Sequence, residues 1–231
     1  MPMRSTTLQW GAQAMRSRAL ISRRLTRSTI SSSSRCEAWV PEKELMVTGI
    51  GGQGVQLAAQ VVAQGATIEG RHVQLFGVYG GMMRGGNTDA SVVVADGPIQ
   101  APPVLSHTWS AIGMHDEFWA QIGPKVRDGG LIMVNEATFT TELDPTRWTV
   151  LRVAATDLAT SLGNELGGSM VMVGAYLATT GLVGIDAAVE GMRESIPSYR
   201  TQHVAANETA MRAGFDAVEP LTMPAWEVAR T

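Results

Sequence analysis

Cysteine is almost absent from this chain of 231 residues, since Cys36 is the only one. A single thiol excludes an internal disulfide, a zinc site made of cysteines alone and an iron–sulfur cluster held by this chain alone. Charged residues make up only 17% of the chain, whereas hydrophobic residues make up 45%. This composition is typical of a folded protein rather than of a disordered one.

Acidic residues are missing from the first 36 positions, which contain seven Arg. The rest of the chain therefore holds 11 of the 18 basic residues against all 21 acidic ones, a net charge of −10. Because such a body repels phosphate backbones, we expect no nucleic-acid function. Residues 1–41 form a basic, Arg- and Ser-rich tail that resembles a mitochondrial transit peptide. We favour two other interpretations, a disordered arm or a start-site extension, because a convincing first strand begins only near Leu45.

Long hydrophobic runs are also scarce, and residues 166–185 form an uncharged stretch of a length that could cross a membrane. Five glycines interrupt this run, and Thr180-Gly181 is typical of a helix end. The pattern favours a buried core helix followed by a turn over a membrane span. The apolar stretch Ala19–Ile21 is too short for a secretory signal. We therefore expect a cytoplasmic protein with no membrane association.

The order of elements indicates the fold class. Short apolar runs predict strands, helical spacing predicts the elements between them, and the chain after Ala155 is rich in helices. We predict an α/β fold with a Rossmann-like, doubly wound and mostly parallel sheet, and a helix-rich C-terminal part. Residues 42–219 form the single domain in this prediction, and residues 220–231 a C-terminal extension. Pro220 and Pro224 predict that this extension is loosely held. The predicted elements are strands at 45–50, 72–76, 90–95, 110–114, 130–134 and 149–153, and helices at 53–68, 116–126, 157–162, 169–179, 185–195 and 202–217.

A glycine motif lies between the first predicted strand and the first helix. Gly49, Gly51 and Gly54 have the G-x-G-x-x-G spacing of dinucleotide-binding loops. Glycines let the backbone approach a ligand closely, and the N–H groups at a helix start attract anions. The acidic residue that NAD needs at the end of the second strand is absent, and Glu69 falls in the helix instead. The motif therefore favours an anion site over an NAD site, with close helix–strand packing as the structural alternative.

A second loop, residues 77–87, contains five glycines and a single charge, Arg84. Arg84 offers a planar, permanently charged group for a phosphate or carboxylate, whereas a flexible hairpin is the alternative. In a doubly wound sheet the loops after the first two strands share the edge where ligands bind. We therefore expect the two glycine loops to act together.

Other polar residues predict no catalytic or metal site. His107 and His115 are eight positions apart, which is not a known metal spacing. His203, near Asn207, is interpreted as structural. The sequence contains no nucleophile elbow, P-loop lysine or evident carboxylate pair.

Taken in order, several segments resemble the gamma subunit, or gamma domain, of 2-oxoacid:acceptor oxidoreductases. This family includes pyruvate and 2-ketoisovalerate:ferredoxin oxidoreductases, and the resemblance spans about residues 45–218. The segments that carry it are Gly51–Gly54, Met83–Gly86 before Ser91–Val94, Pro98-Ile99, Pro103-Val104, Ser169–Gly174, and Asn207–Ala210 with Gly214.

The resemblance implies a complex that decarboxylates a 2-oxoacid oxidatively and forms an acyl-coenzyme A thioester. Thiamine diphosphate and the iron–sulfur clusters would belong to alpha, beta and delta subunits, and ferredoxin or NAD, through a flavoprotein subunit, would accept the electrons. This chain would bind coenzyme A, contact its partner subunits and hold no catalytic residue. The residues expected at coenzyme A are Gly51, Gly52, Gln53, Gly54, Arg84, Gly85 and Gly86. The alternatives are a stand-alone NAD(P)-binding Rossmann oxidoreductase and a purely structural subunit.

Overall fold

The computed structural model describes residues 41–79 and 85–226. Its six strands are β1 (Glu42–Ile50), β2 (His72–Tyr79), β3 (Asn87–Ala95), β4 (Thr108–Gly113), β5 (Val126–Asn135) and β6 (Thr149–Val153). They form one sheet in the order β2-β3-β1-β4-β5-β6. Strands β1, β4, β5 and β6 pair in parallel, and β3 lies antiparallel between β1 and β2.

The predicted α/β fold class is confirmed, and the sheet is mixed because of β3. Strands β2 and β3 pair directly, from His72 opposite Ala95 to Tyr79 opposite Thr88. The alternation of strands and helices had indicated a mostly parallel sheet, in which β2 and β3 would be joined by a crossover. A parallel crossover needs a dozen or more residues, and residues 80–86 are too few, so the chain returns antiparallel. The second glycine loop is also shorter than predicted, since Gly77 belongs to β2 and Asn87 to β3.

Five α-helices provide the apolar surface that covers the larger core. They are α1 (Val55–Ile68), α2 (Ala155–Ser161), α3 (Gly168–Thr180), α4 (Ile185–Ser195) and α5 (Val204–Asp216). A 3₁₀ helix at Ser198–His203 leads into α5. The core joins buried side chains of these helices to those of the central strands, such as Leu45, Val92 and Leu131. The predicted helix-rich C-terminal part is therefore present.

A second, smaller apolar cluster, which includes Met46, Val93 and Ile132, packs against Trp119 and Phe139. The expected helix at 116–126 is wrong, because this stretch forms two 3₁₀ turns, Trp119–Gln121 and Gly123–Lys125. Pro124 has no N–H to donate, and Gly123 favours other conformations, so a regular helix does not form.

Asp116 anchors the chain beside these turns. Its carboxylate accepts hydrogen bonds from the backbone and hydroxyl groups of Thr140 and Thr141. The hydroxyl of Thr140 is the main cause that holds the pKa of Asp116 below its usual value. The side chain is therefore used to fix a connection rather than to bind a metal.

Helix α3 occupies the uncharged run and is buried along its whole length. Gly181 ends it, and its N–H donates to the carbonyl of Leu177 at 2.7 Å. The expected buried helix followed by a turn is confirmed. Among the described residues, no helix is both long and apolar enough to cross a membrane.

Residues 221–226 are attached to the end of α3, which corrects the expectation that this segment is loosely held. The amides of Leu221, Met223 and Ala225 donate to the carbonyls of Ala178, Thr179 and Thr180. These carbonyls are the ones that a helix end leaves without a partner, so the segment acts as a cap. Residues 227–231 and the tail 1–40 lie outside the described residues.

Candidate functional site

The first glycine loop connects β1 to α1 and is held by the side chain of Gln53. The Gln53 Oε1 atom accepts from the amide of Ile50 at 2.9 Å, and its Nε2 donates to the carbonyl of Met114 at 3.4 Å. The Gln53 amide closes the turn on the carbonyl of Ile50 at 3.1 Å. Gln53 therefore shapes the loop, and both ends of its side chain are occupied.

The two glycine loops meet. The amide of Gly51 donates to the carbonyl of Gly86 at 2.9 Å, and an added Cβ at Gly51 would lie 3.5 Å from the amide of Gly85. The expectation that the two loops share one edge of the sheet is confirmed. Arg84, the charge expected there, lies outside the described residues.

Two amides of the first loop remain available. Gly52 and Gly54 have φ angles of 112° and 79°, which favour glycine, and their amides donate to none of the described residues. Gly54 is the residue that starts α1, and no side chain caps this helix end. These two N–H groups therefore provide donors at the positive end of a helix dipole.

A groove of about 1150 Å³ opens beside these amides. Gly52 and Gly54 line one wall, and the start of α3 lines the adjoining wall with Ser169. The opposite wall is the 3₁₀ helix Ser198–His203 together with the first turns of α5. The groove is thus lined by the glycine loop and by segments that follow it more than 100 positions later in the chain.

Ser169 is the buried polar side chain of this groove. The residue is only 3% exposed, yet its hydroxyl makes no hydrogen bond to any described residue. An added Cβ at Gly54 would overlap the Ser169 Oγ atom, so the two residues are in direct contact. Because this hydroxyl lines the groove and has no partner among the described residues, Ser169 can donate or accept a hydrogen bond there.

The opposite wall carries Tyr199, Arg200 and His203. His203 was expected to be structural, but the structure places it at the groove. Asn207 also lines the groove, and its Oδ1 accepts a hydrogen bond from Asn164 Nδ2 at 3.2 Å. Sequence analysis assigned no site role to Ser169, Tyr199, Arg200 or His203, and only the segment starting at Ser169 carried a signal, as part of the family resemblance.

The histidines outside the groove make local contacts. His107 Nδ1 lies 2.8 Å from the hydroxyl of Ser106, and His115 Nδ1 accepts from the amide of Glu117 at 3.1 Å. Within residues 41–79 and 85–226, no cluster of three or more His, Cys, Asp or Glu side chains could hold a metal ion.

The geometry so far defines an α/β protein with a groove beside two paired glycine loops, lined by backbone amides that have no partner among the described residues. The model of the pyruvate ferredoxin/flavodoxin oxidoreductase family matches residues 44–217, and the chain belongs to this family. The resemblance to its gamma subunits is confirmed by relatives of similar length. The chain is 33% identical to the 2-oxoglutarate synthase subunit KorC of Methanothermobacter thermautotrophicus, over 76% of this chain and 95% of that protein.

Solved structures agree with this assignment. The gamma subunit of a keto/oxoacid ferredoxin oxidoreductase from Geobacter sulfurreducens is 26% identical, with a TM-score of 0.66 over 76% of this chain and 95% of that one. The 2-oxoglutarate:ferredoxin oxidoreductase of Magnetococcus marinus, solved with 2-oxoglutarate, coenzyme A and succinyl-CoA, shares the fold. Its TM-score is 0.68 at 16% identity, over 78% of this chain and 32% of that chain. This chain is a gamma subunit of the 2-oxoacid:ferredoxin oxidoreductase type.

Proposed function

We propose that this subunit binds coenzyme A for a complex that converts a 2-oxoacid to an acyl-coenzyme A thioester. The observation that carries the proposal is the groove at the glycine loops, where two backbone amides and the Ser169 hydroxyl lack partners among the described residues. Coenzyme A carries a diphosphate, and backbone amides at a helix start suit phosphate oxygens. The coenzyme A named for the Magnetococcus marinus enzyme of the same fold supports this choice.

Each glycine-loop residue has a part in this proposal. Gly52 and Gly54 donate their amides to the phosphate, whereas Gly51 and Gln53 hold the loop in shape. Gly85 and Gly86 bring the second loop alongside the first, and Arg84 supplies a permanent positive charge from that loop. The groove therefore orients coenzyme A, and the subunit itself performs no bond-breaking step.

The remaining chemistry belongs to partner chains in this proposal. Alpha, beta and delta subunits carry thiamine diphosphate and iron–sulfur clusters, because the one cysteine of this chain cannot hold a cluster. Ferredoxin, or NAD through a flavoprotein subunit, accepts the two electrons. We place this complex in the cytoplasm.

Purification of the tagged chain from its native host tests the assembly. Mass spectrometry of the captured proteins is expected to find chains with thiamine diphosphate and iron–sulfur clusters, and a flavoprotein among them would point to NAD. A chain captured alone, as a monomer or homo-oligomer, would contradict the subunit role and favour an independent nucleotide-binding protein.

Equilibrium binding of coenzyme A to the assembled complex tests the ligand. Replacement of Arg84 by Ala is expected to weaken binding by more than about tenfold, which corresponds to about 1.4 kcal/mol. Arg193→Ala is the matched control, because Arg193 pairs with Glu190 and Glu208 away from the groove. If the unmodified, Arg84→Ala and Arg193→Ala complexes bound coenzyme A equally, Arg84 would be an interface residue rather than a ligand contact. If none of them bound coenzyme A, the subunit would be purely structural.

A further inference from the structure

The two ends of the groove differ in chemistry. At the glycine-loop end the donors are uncharged, namely two backbone amides and the hydroxyl of Ser169. At the other end, the 3₁₀ helix before α5 brings Arg200 and His203 to the wall. The groove therefore offers two sets of donors, from segments far apart in the chain, to the negative groups of one ligand.

The cationic end has no carboxylate partner among the described residues. Neither Arg200 nor His203 forms an ion pair there, whereas Arg193 and Arg212 on the neighbouring helices both pair with Glu208. Glu165 is the one acidic residue among the described residues that line the groove, and it bonds to neither of the two. In a body of net charge −10, two unpaired basic side chains on one wall favour an anionic ligand.

Apolar surface lies beside these charges. Tyr199 is 72% exposed and Leu166 is 84% exposed, and both line the groove. The Arg200 guanidinium carbon lies 5.5 Å from the centre of the Tyr199 ring. An exposed aromatic ring next to a guanidinium group is suited to a nucleotide, because the ring can stack on the base while the guanidinium binds a phosphate.

We propose that Arg200 and His203 bind the 3′-phosphate of coenzyme A, so that this subunit distinguishes coenzyme A from dephospho-coenzyme A. The inference rests on the proposed function. Coenzyme A carries two phosphate groups at separate positions, the 5′-diphosphate and the ribose 3′-phosphate. The glycine-loop end binds the diphosphate through its donors, Tyr199 contacts the adenine, and Arg200 and His203 at the cationic end bind the 3′-phosphate.

The test measures dissociation constants of the assembled complex for coenzyme A and dephospho-coenzyme A by calorimetry. The unmodified complex is expected to prefer coenzyme A by about tenfold or more, as for a charge-assisted phosphate contact. Arg200→Gln is expected to remove most of this preference, with the constant for dephospho-coenzyme A changed less than about twofold. His203→Gln is expected to lower the preference for coenzyme A over dephospho-coenzyme A by a smaller factor. The same comparison is then made with adenosine 3′,5′-bisphosphate and 5′-AMP, which differ in the 3′-phosphate and lack the pantetheine arm.

Arg193→Gln is the control, because this arginine is a near neighbour in the chain whose charge is already paired. Arg200 is exposed and its described contact is the Tyr199 ring, so the variant is expected to unfold at the same temperature as the unmodified protein. A complex that binds both ligands equally would overturn the inference and leave the proposed function intact. Discrimination that survives in both variants would also overturn it. A complex that binds neither ligand would contradict the proposed function itself.

Discussion

The two ends of α3 differ in how many of their polar groups are hydrogen-bonded. At the C-terminal end the last carbonyls accept amides from residues 221–225, and the hydroxyls of Thr179 and Thr180 donate to the preceding turn. At the N-terminal end the Ser169 hydroxyl has no partner among the described residues and faces a groove. A helix leaves unpaired groups at both ends. We expect the capped end to contribute to stability, and the proposed function assigns ligand binding to the end that is left open.

The largest effect on stability is expected in the middle of α3, where this helix crosses α5 and leaves no room for a side chain. An added Cβ at Gly174 would overlap the backbone carbonyl of Met211, which cannot move without shifting α5. Gly174→Ala is expected to lower the free energy of unfolding by about 3 kcal/mol or more, or to prevent folding. Gly168→Ala, in the same helix, places its Cβ no closer than 3.9 Å to its neighbours and is the control. Similar denaturation midpoints for the two variants would show that the crossing is not tight.

The cap at the C-terminal end is tested through Trp226. Its Nε1 donates to the carbonyl of Leu182 at 3.1 Å, and Arg71 lies 4.0 Å from the centre of its ring. Trp226→Ala is expected to cost about 2 kcal/mol of stability, since a partly buried aromatic ring and a hydrogen bond are lost. Coenzyme A binding is expected to stay the same. Tyr199→Ala is the aromatic control, with little change in stability and weaker binding. If Trp226→Ala weakened binding and left stability unchanged, the segment would belong to the site.

The smallest effects on stability are expected from the removal of one hydroxyl group at each end of α3. The Thr180 Oγ1 atom donates to the carbonyl of Tyr176 at 2.7 Å and accepts from the amide of Leu182 at 3.2 Å. Thr180→Val is expected to cost about 1–2 kcal/mol, because it leaves a buried amide without a partner. Ser169→Ala is expected to change stability by less than about 0.5 kcal/mol, because no hydrogen bond among the described residues is lost. Thermal unfolding measures both, and equal losses would mean that the N-terminal end is not open.

The local elements were predictable from the sequence. The run from Leu45, the glycine loop and the apolar spacing after Val55 predicted β1 and α1, and the uncharged run predicted α3. The direction of β3 was missed because it depends on the length of a loop, which strand patterns do not report. The 3₁₀ turns around Pro124 were missed because an apolar pattern does not distinguish them from a helix.

The sequence marked the glycine loops of the candidate site, but it did not mark the other residues that line the groove. The glycine spacing of the sequence marked both loops, and Gly52, Gly54 and Gly85 have the positive φ angles that favour glycine. Ser169, Arg200 and His203 come from segments that pack beside the loop only in the folded chain. Nothing in the neighbouring sequence of Arg200 or His203 marks these residues, so their place in the groove depends on the packing of α3 and α5.

The most direct test of the proposed coenzyme A site compares two glycines that flank α1 and have nearly the same φ angle. Gly54 and Gly70 have φ angles of 79° and 78°, but only an added Cβ at Gly54 would enter the groove and overlap Ser169. Both substitutions by Ala are expected to cost about 1 kcal/mol of stability through backbone strain, and the overlap with Ser169 adds a further loss at Gly54 only.

The measurement is the dissociation constant of the assembled complex for coenzyme A. Gly54→Ala is expected to raise it by more than about tenfold, and Gly70→Ala by less than about twofold. Equal constants for the two variants would contradict the assignment of coenzyme A to this groove.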